Sequence, residues 1–486
     1  MTPLSYRLSK GTRILVREDG VHLVLRYPLK AMVIHLAWAK IFEHLATKSC
    51  VPLTELAALQ TGVARKKIAE FMNQMVFKGF LEREGADMPD EYPLFSIIIA
   101  VRNRPAEIDA CLKSLKQLEY PADKLEIIVV DDASSDSTRG AIQRYPVCLI
   151  SLKQHKKASF CRNLGARQAK GEILAFIDSD CMADPAWLKQ LLPAFDDPQI
   201  AAVGGRVDAY YDKKSLDRYE KAKSSLMVSS YAKRSDPGDA FFYVPACNFL
   251  VRRNIFLEVG GFNEQLTVGE DVDLCWRLQK KQYDLEFLPE GSVYHKHRNQ
   301  LGPFCKRRFD YGTSEPLLQK LHQDRVKQFL IPPAAAGFWA LLILWAFTEQ
   351  SLFGGLAGLV AIADSLVKNH RYKDLEIGLG LIFWATLRGY AAFFYHLCAF
   401  VSRYYLILGL VLAPFAPVVA LVVGAMHLLN GVVEANLKKA RMALPLFLIF
   451  FTLEQISYQA GVWWGCFCHR ILSPVLPKLV MKISSK

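Results

Sequence analysis

Residues 173–180 read Ile-Leu-Ala-Phe-Ile-Asp-Ser-Asp: five apolar residues that end on Asp178 and Asp180. Residues 127–132 have the same form, Ile-Ile-Val-Val closing on Asp131 and Asp132. A short, β-branched apolar run is what a strand covered on both faces needs. Phe95–Val101, Leu125–Val130, Val147–Leu152 and Ile173–Ile177 all have this character. Between the first two, Ile108, Cys111, Leu112, Leu115 and Leu118 fall on one helical stripe. The order is strand, helix, strand, helix, which predicts an α/β domain with a mostly parallel sheet, running to about residue 325. In such sheets the ligand lies outside the carboxyl ends of the strands. Acids there can accept hydrogen bonds from a ribose or a base, and Asp178 with Asp180 can turn oxygens towards one hard cation, Mg²⁺ or Mn²⁺.

The segments on either side are of different kinds. Residues 5–85 read as a small α+β module. Ile14–Val16 and His22–Tyr27 flank an Asp19-Gly20 turn, a helix is expected over Leu29–Ala46, and others start at Leu53 and run from Ala64 to Lys78. Phe80-Leu81 then opens a short wing, so the module resembles a winged helix. Residues 86–93 are a polar, Pro-containing linker. The expected domains are 1–90, 91–325 and 326–486.

The chain has 486 residues and a formal net charge of +13, but its charge is unevenly spread. Residues 331–486 hold 12 Lys+Arg and 6 Asp+Glu in 156 positions, which points to membrane contact. Tyr405–Met426 carries no charge and is long enough to span. Ile331–Phe347 and Ser351–Val367 are at the short end of spanning length and can form one hairpin. Ile377–Phe400 carries Arg388 and His396 and either spans or lies in the interface. A hydropathy this high excludes a disordered chain. The eleven cysteines show neither a CxxC pair nor zinc-site spacing, so free buried thiols in a reducing compartment are expected. The N-terminal Met-Thr-Pro-Leu-Ser-Tyr-Arg has no apolar core, so no signal peptide is expected and the first 330 residues are placed in the cytoplasm. A cut after Asp324 is expected to leave a soluble fragment.

Two further clusters bear on chemistry. Gly269-Glu270-Asp271-Val272-Asp273 puts three acids at a helix start, more than capping requires, and one is a candidate general base. His295-Lys-His297-Arg follows a strand-like Ser-Val-Tyr, and one imidazole can complete a cation's coordination.

Phe95–Pro105, Val130-Asp-Asp-Ala-Ser-Ser-Asp, Arg162-Asn163-Leu-Gly-Ala, Asp178-Ser-Asp180 and Gly269-Glu-Asp-Val-Asp-Leu occur in the order found in family 2 inverting glycosyltransferases, and residues 94–312 resemble that family. The resemblance implies a nucleotide-sugar-binding (GT-A-like) α/β fold. It makes Asp271 the catalytic base. It places Asp131, Asp132, Arg162, Asn163, Asp178, Arg307 and Arg308 at the donor. It places Asp178, Asp180 and His295 at a Mn²⁺ or Mg²⁺ ion, with His297 the other candidate for the imidazole. Tyr243-Val-Pro-Ala, Leu250-Val-Arg-Arg, Gly260-Gly-Phe-Asn-Glu and Arg307-Arg308-Phe-Asp-Tyr-Gly-Thr look most like the glycosyltransferases of mycofactocin-type gene clusters. These build a glucose chain on a peptide-derived redox cofactor, and their small N-terminal domain is similar to peptide-recognising winged helices. Asn248 and the long C-terminus depart from the pattern. The resemblance implies a bacterial membrane enzyme, catalytic domain facing the cytoplasm, that takes glucose from UDP-glucose to a hydroxyl of a peptide-derived acceptor, with a precursor peptide on residues 5–85 and no nucleic acid. Two alternatives stand beside it: a lipid or polysaccharide acceptor, and a peptide- or DNA-binding N-terminal module with a degenerate transferase domain.

Overall fold

The computed structural model describes residues 3–85, 91–235 and 242–481. The chain divides into two compact units. One comprises Met88–Lys327 with Ser402–Leu476, the other Met1–Asp87 with Gln328–Val401 and Pro477–Lys486. The hydrophobic region after residue 326 is thus shared between them. Of the expected linker, only residues 91–93 lie within the described residues.

The first unit is built on a nine-stranded sheet. Its strands are β1 Phe95–Val101, β2 Leu125–Asp131, β3 Cys148–Ser151, β4 Ile173–Ile177, β5 Cys181–Ala183, β6 Ile200–Ala209, β7 Lys233–Arg234, β8 Asn248–Arg252 and β9 Asp284–His295. The order is β5-β9-β6-β8-β4-β1-β2-β3, with β7 on β9. The four strands read from the sequence are parallel neighbours, β4-β1-β2-β3. The expectation of a mostly parallel sheet holds there and for the β6–β9 pair. β8 enters antiparallel between β4 and β6, and β5 and β7 run antiparallel to β9. Side chains alternate as the pleat dictates. Ile97 and Ile99 pack on one face with Ile177 and Trp187, and Ile98 packs on the other with Phe176 and Phe249. Asn248 is buried, but its amide is satisfied by Trp187 and by the carbonyls of Arg206 and Gly291.

The helices that matter for the site are α1 Pro105–Leu115, α2 Ala158–Gln168, α3 Glu270–Lys280 and α4 Leu301–Leu321. The C-terminal helices are α5 Pro333–Thr348, α6 Ser351–Arg371, α7 Leu379–Leu412, α8 Pro417–Leu437 and α9 Leu444–His469. α6, α7 and α8 are long and apolar enough to cross a membrane. α5 has 16 residues, about 24 Å of helix, which is short of a full span. The uncharged run Tyr405–Met426 is not one helix. It breaks after Leu412, where Pro414 and Pro417 cannot continue the hydrogen-bond ladder, while α7 runs uninterrupted through Arg403. α9 packs on α4, and the contact is close because two glycines face it. A Cβ on Gly312 would lie 2.1 Å from the Tyr458 carbonyl oxygen, and one on Gly461 2.1 Å from that of Phe309.

The N-terminal region of the second unit contains two three-stranded sheets and helices Ala39–Thr47, Leu53–Leu59 and Arg65–Phe77. The helix expected over Leu29–Ala46 forms only from Ala39. Leu29–Ile34 is a strand that completes a meander with Gly20–Arg26, turning Ile34 into the core. Pairing with the preceding hairpin outweighs a local helical pattern here.

Candidate active site

The parallel strands deliver their carboxyl ends to one edge, and a cavity of about 850 Å³ opens there. Asp132, Arg162, Asp178, Asp180, Asp271, His295, Arg307 and Arg308 all line it. Register explains how the distant ones arrive. β9 pairs with β5 so that His295 faces Cys181, next to Asp180. α3 starts at Glu270 after Gly269 in the left-handed region (φ 84°), and this turn brings Asp271 to the edge.

Asp271 accepts hydrogen bonds from the backbone N–H groups of Ala246 (3.2 Å) and Val272 (2.9 Å). Burial, reinforced by the neighbouring Glu270, pushes its carboxyl up to about 7. A carboxylate at that value accepts a proton readily near neutral pH. The other acids of the helix start do different work. Glu270 accepts from Arg162 at 2.9 Å. Asp273 is buried against Arg277 and His322, both at 2.8 Å. Burial disfavours its charge, but these two partners hold the carboxyl below its ordinary range.

Arg162, buried on α2, donates to Asp178 Oδ1 at 2.6 Å as well as to Glu270. It therefore joins the acidic pair to the segment carrying Asp271. Burial opposes its charge, yet the two carboxylates raise it far above the ordinary arginine value. Asp180 is buried. Its Oδ2 accepts from Arg104 and, at 3.2 Å, from Arg298, and its Oδ1 is 3.5 Å from His295 Nε2. Burial alone would raise Asp180, but His295, Arg104 and Arg298 hold it below the usual carboxylate range. Burial lowers His295 despite Asp180. Burial also pushes His297 down to about 3; its Nδ1 lies 3.1 Å from His295 Nδ1, and its Nε2 has no hydrogen-bond partner.

These groups suit a cation. One donor atom each from Asp180, Cys181 and His295 lie within 4.8 Å of one another, and Asp178 lines the same cavity. Two carboxylates with a neutral imidazole form a donor set that Mg²⁺ or Mn²⁺ accepts.

Several expected site residues have other partners. Asp131 is fully buried and holds the following turn through Ser134 N (3.1 Å) and Arg139 (3.4 Å). Asp132 lines the cavity, but its carboxylate already accepts from Lys156 N (2.6 Å) and Lys157 N (3.0 Å) and meets His155 (2.6 Å). Asn163 does not reach the cavity; its amide clamps both backbone groups of Phe262 at 2.8 Å. Arg308 is buried among Glu220 (2.6 Å), Ser225 (3.1 Å) and Glu454 (3.4 Å), whereas Arg307 stacks on Tyr311 at 4.7 Å. Arg104, Arg298 and Glu220 line the cavity without having been named from the sequence, and Tyr243 joins them although it was noted only as part of a motif. The Arg298 position was visible beside His297, but nothing in one sequence says that its side chain turns back to Asp180. The far side of the cavity is lined by Arg403 of α7, Glu434 of α8 and Glu454 and Tyr458 of α9.

Residues 96–260 match the family model described as Glycosyl transferase family 2. The chain is similar to the pre-mycofactocin glycosyltransferase of Mycobacterium tuberculosis, with 28% identity over 404 residues, 79% of this chain and 82% of the relative. It is also similar to glycosyltransferase AglE of Haloferax volcanii, with 28% identity over 246 residues, 49% of this chain and 78% of the relative. Among solved structures, the Pyrobaculum calidifontis mannosyltransferase PcManGT in complex with GDP-Man and Mn²⁺ aligns over 66% of this chain and 94% of its own, with 19% identity and a TM-score of 0.40. The family match covers the sheet edge that carries Asp131, Asp132, Asp178 and Asp180, and residues 96–260 are a family 2 glycosyltransferase domain.

Proposed function

We propose that the protein is a membrane-associated inverting hexosyltransferase that moves glucose from UDP-glucose onto a hydroxyl of a peptide-derived redox cofactor of the mycofactocin type. The observation that carries the chemistry is Asp271. It shares one cavity with Asp178 and Asp180, and its carboxyl titrates near neutrality. The similarity to the pre-mycofactocin glycosyltransferase supports the acceptor class, and glucose is what the resemblance of the sequence implies.

In this reading the nucleoside lies along Asp132 and His155, and the diphosphate faces Arg307 and the acidic pair. Asp178, Asp180 and His295 would hold a Mn²⁺ or Mg²⁺ ion, which supplies positive charge against the leaving diphosphate. Asp271 takes the proton of the acceptor hydroxyl. The acceptor oxygen forms a bond to the anomeric carbon from the face opposite the diphosphate. The bond from that carbon to the diphosphate oxygen breaks, and the nucleoside diphosphate leaves with the electron pair. Arg162 keeps Glu270 and Asp178 in place on either side of this exchange. The acceptor enters from the side lined by Arg403, Glu434 and Tyr458. The region 5–85 is read as a winged-helix-like module that binds a precursor peptide, and the catalytic domain is placed on the cytoplasmic face.

A lipid acceptor is the second reading, because α7 and α8 are long enough to cross a membrane and also line the cavity. The test is transfer from labelled UDP-glucose by the purified full-length protein to a pre-mycofactocin-type acceptor, beside an extracted lipid fraction. Label on the small acceptor alone supports the first reading. Label in the lipid phase alone replaces it with the second.

A further inference from the structure

Three guanidinium groups already neutralise the acidic pair. Arg162 serves Asp178 and is locked in place by burial and by Glu270. Arg104 and Arg298, which both pair with Asp180, are placed differently. Their side chains are 33% and 38% exposed, and both line the cavity. Arg104 caps the start of α1, and Arg298 lies in the loop after β9.

A dication arriving at Asp180 by itself would therefore meet two guanidiniums on the same carboxylate. Like charges so close repel, and the dication would have to displace them into water. A diphosphate changes that balance. Its oxygens accept from the planar fork of an arginine, so groups displaced from Asp180 gain an equivalent partner a short distance away.

We propose that Arg104 and Arg298 are exchangeable counter-charges of Asp180. They hold its carboxylate in the empty cleft and turn onto the donor diphosphate when cation and nucleotide arrive, so that cation affinity depends on nucleotide. The proposal rests on the nucleotide-sugar and cation reading given above. By linkage, the factor by which UDP tightens the cation equals the factor by which the cation tightens UDP.

The test measures Mn²⁺ binding to the full-length protein in detergent, from the electron paramagnetic resonance signal of the free aquo ion, with and without saturating UDP. UDP binding is followed separately by equilibrium dialysis. In the wild type, UDP tightens Mn²⁺ by at least about tenfold. Arg298→Gln tightens Mn²⁺ in the absence of UDP by about fivefold or more, and the effect of UDP shrinks. Arg104→Gln acts on the same carboxylate and behaves in the same way. Unchanged or weaker Mn²⁺ binding without UDP in both variants overturns the proposal, as does loss of the fold in both, which would make these arginines structural clamps. A wild type that binds UDP but holds Mn²⁺ equally well without it also overturns the proposal while leaving the donor reading intact. If UDP does not bind at all, the donor reading itself fails.

Discussion

At Asp271 and Asp273, two carboxylates of one helix start, opposite environments separate chemistry from stability. Asp271, pushed up to about 7, is the proton acceptor of the proposed mechanism. Asp271→Asn keeps the size and loses the basicity, so turnover should fall about 10²–10⁴-fold while UDP binding persists. In the wild type, kcat/KM should rise with pH and level off above about 7, because the base must be ionised. That rising limb should vanish from the residual activity of the variant. Retention within a few-fold of wild-type turnover would remove Asp271 from its role. Asp273 lies the other way. Its folded carboxyl is held below the unfolded value, so its contribution is present above about pH 4 and is lost as pH falls through the folded value. Asp273→Asn leaves His322 and Arg277 without their charge partner, and should cost about 3 kcal/mol in a thermal unfolding measurement at pH 7. That Asp178, Asp180, Asp271 and His295 gather at one cavity was legible in the sequence, because each sits in a short motif at the end or start of an element. Asn163 and Arg308 were expected at the donor and are found bonded to Phe262 and to Glu220 and Glu454, since a sequence shows which side chain can donate and not which buried carbonyl or carboxylate claims it first.

Among the elements, the α4–α9 pair sets the shape of the cleft's inner wall. Gly312 and Gly461 let the two backbones touch, and Glu315 of α4 accepts from Tyr458 of α9 at 2.6 Å. Gly461→Val has no space on either side, and should split this pair. The expected result is a protein that melts several degrees lower and transfers sugar at a small fraction of the wild-type rate, while Gly337→Val on α5, which meets nothing within 4 Å, should keep both properties. Comparable melting of the two variants would show that α4 and α9 are held apart from this contact. The strands at the sheet edge were readable because a β-branched run closing on acids has few other uses. The strand Leu29–Ile34 and the antiparallel entry of β8 were not, because both depend on which partner strand is available in space. The break between α7 and α8 was written in Pro414 and Pro417, but hydropathy alone ran across it.

On the scale of the whole molecule, α6, α7 and α8, each long and apolar enough to span, predict that the protein stays in the membrane pellet through alkaline carbonate and needs detergent for release. Release by salt or carbonate alone would reduce them to a surface layer. The cut after Asp324, which the sequence recommends as a route to a soluble fragment, is predicted instead to yield aggregated chain. It removes Ser402–Leu476 from the unit that holds the sheet, and with it Glu454, the partner of Arg308 and of Tyr219. A soluble, active fragment ending there would show that α9 is dispensable. The same contact also bears on timing. Tyr219 and Glu454 are 235 positions apart, so a ribosome adding 5–20 residues per second reaches the second roughly 10–50 s after the first. During that interval the sheet is completed, while Tyr219 lacks its carboxylate and Arg308 has only Glu220. The cleft's inner wall is finished only after α6, α7 and α8 have been synthesised, so a nascent chain holds an incomplete cleft until its apolar helices have emerged.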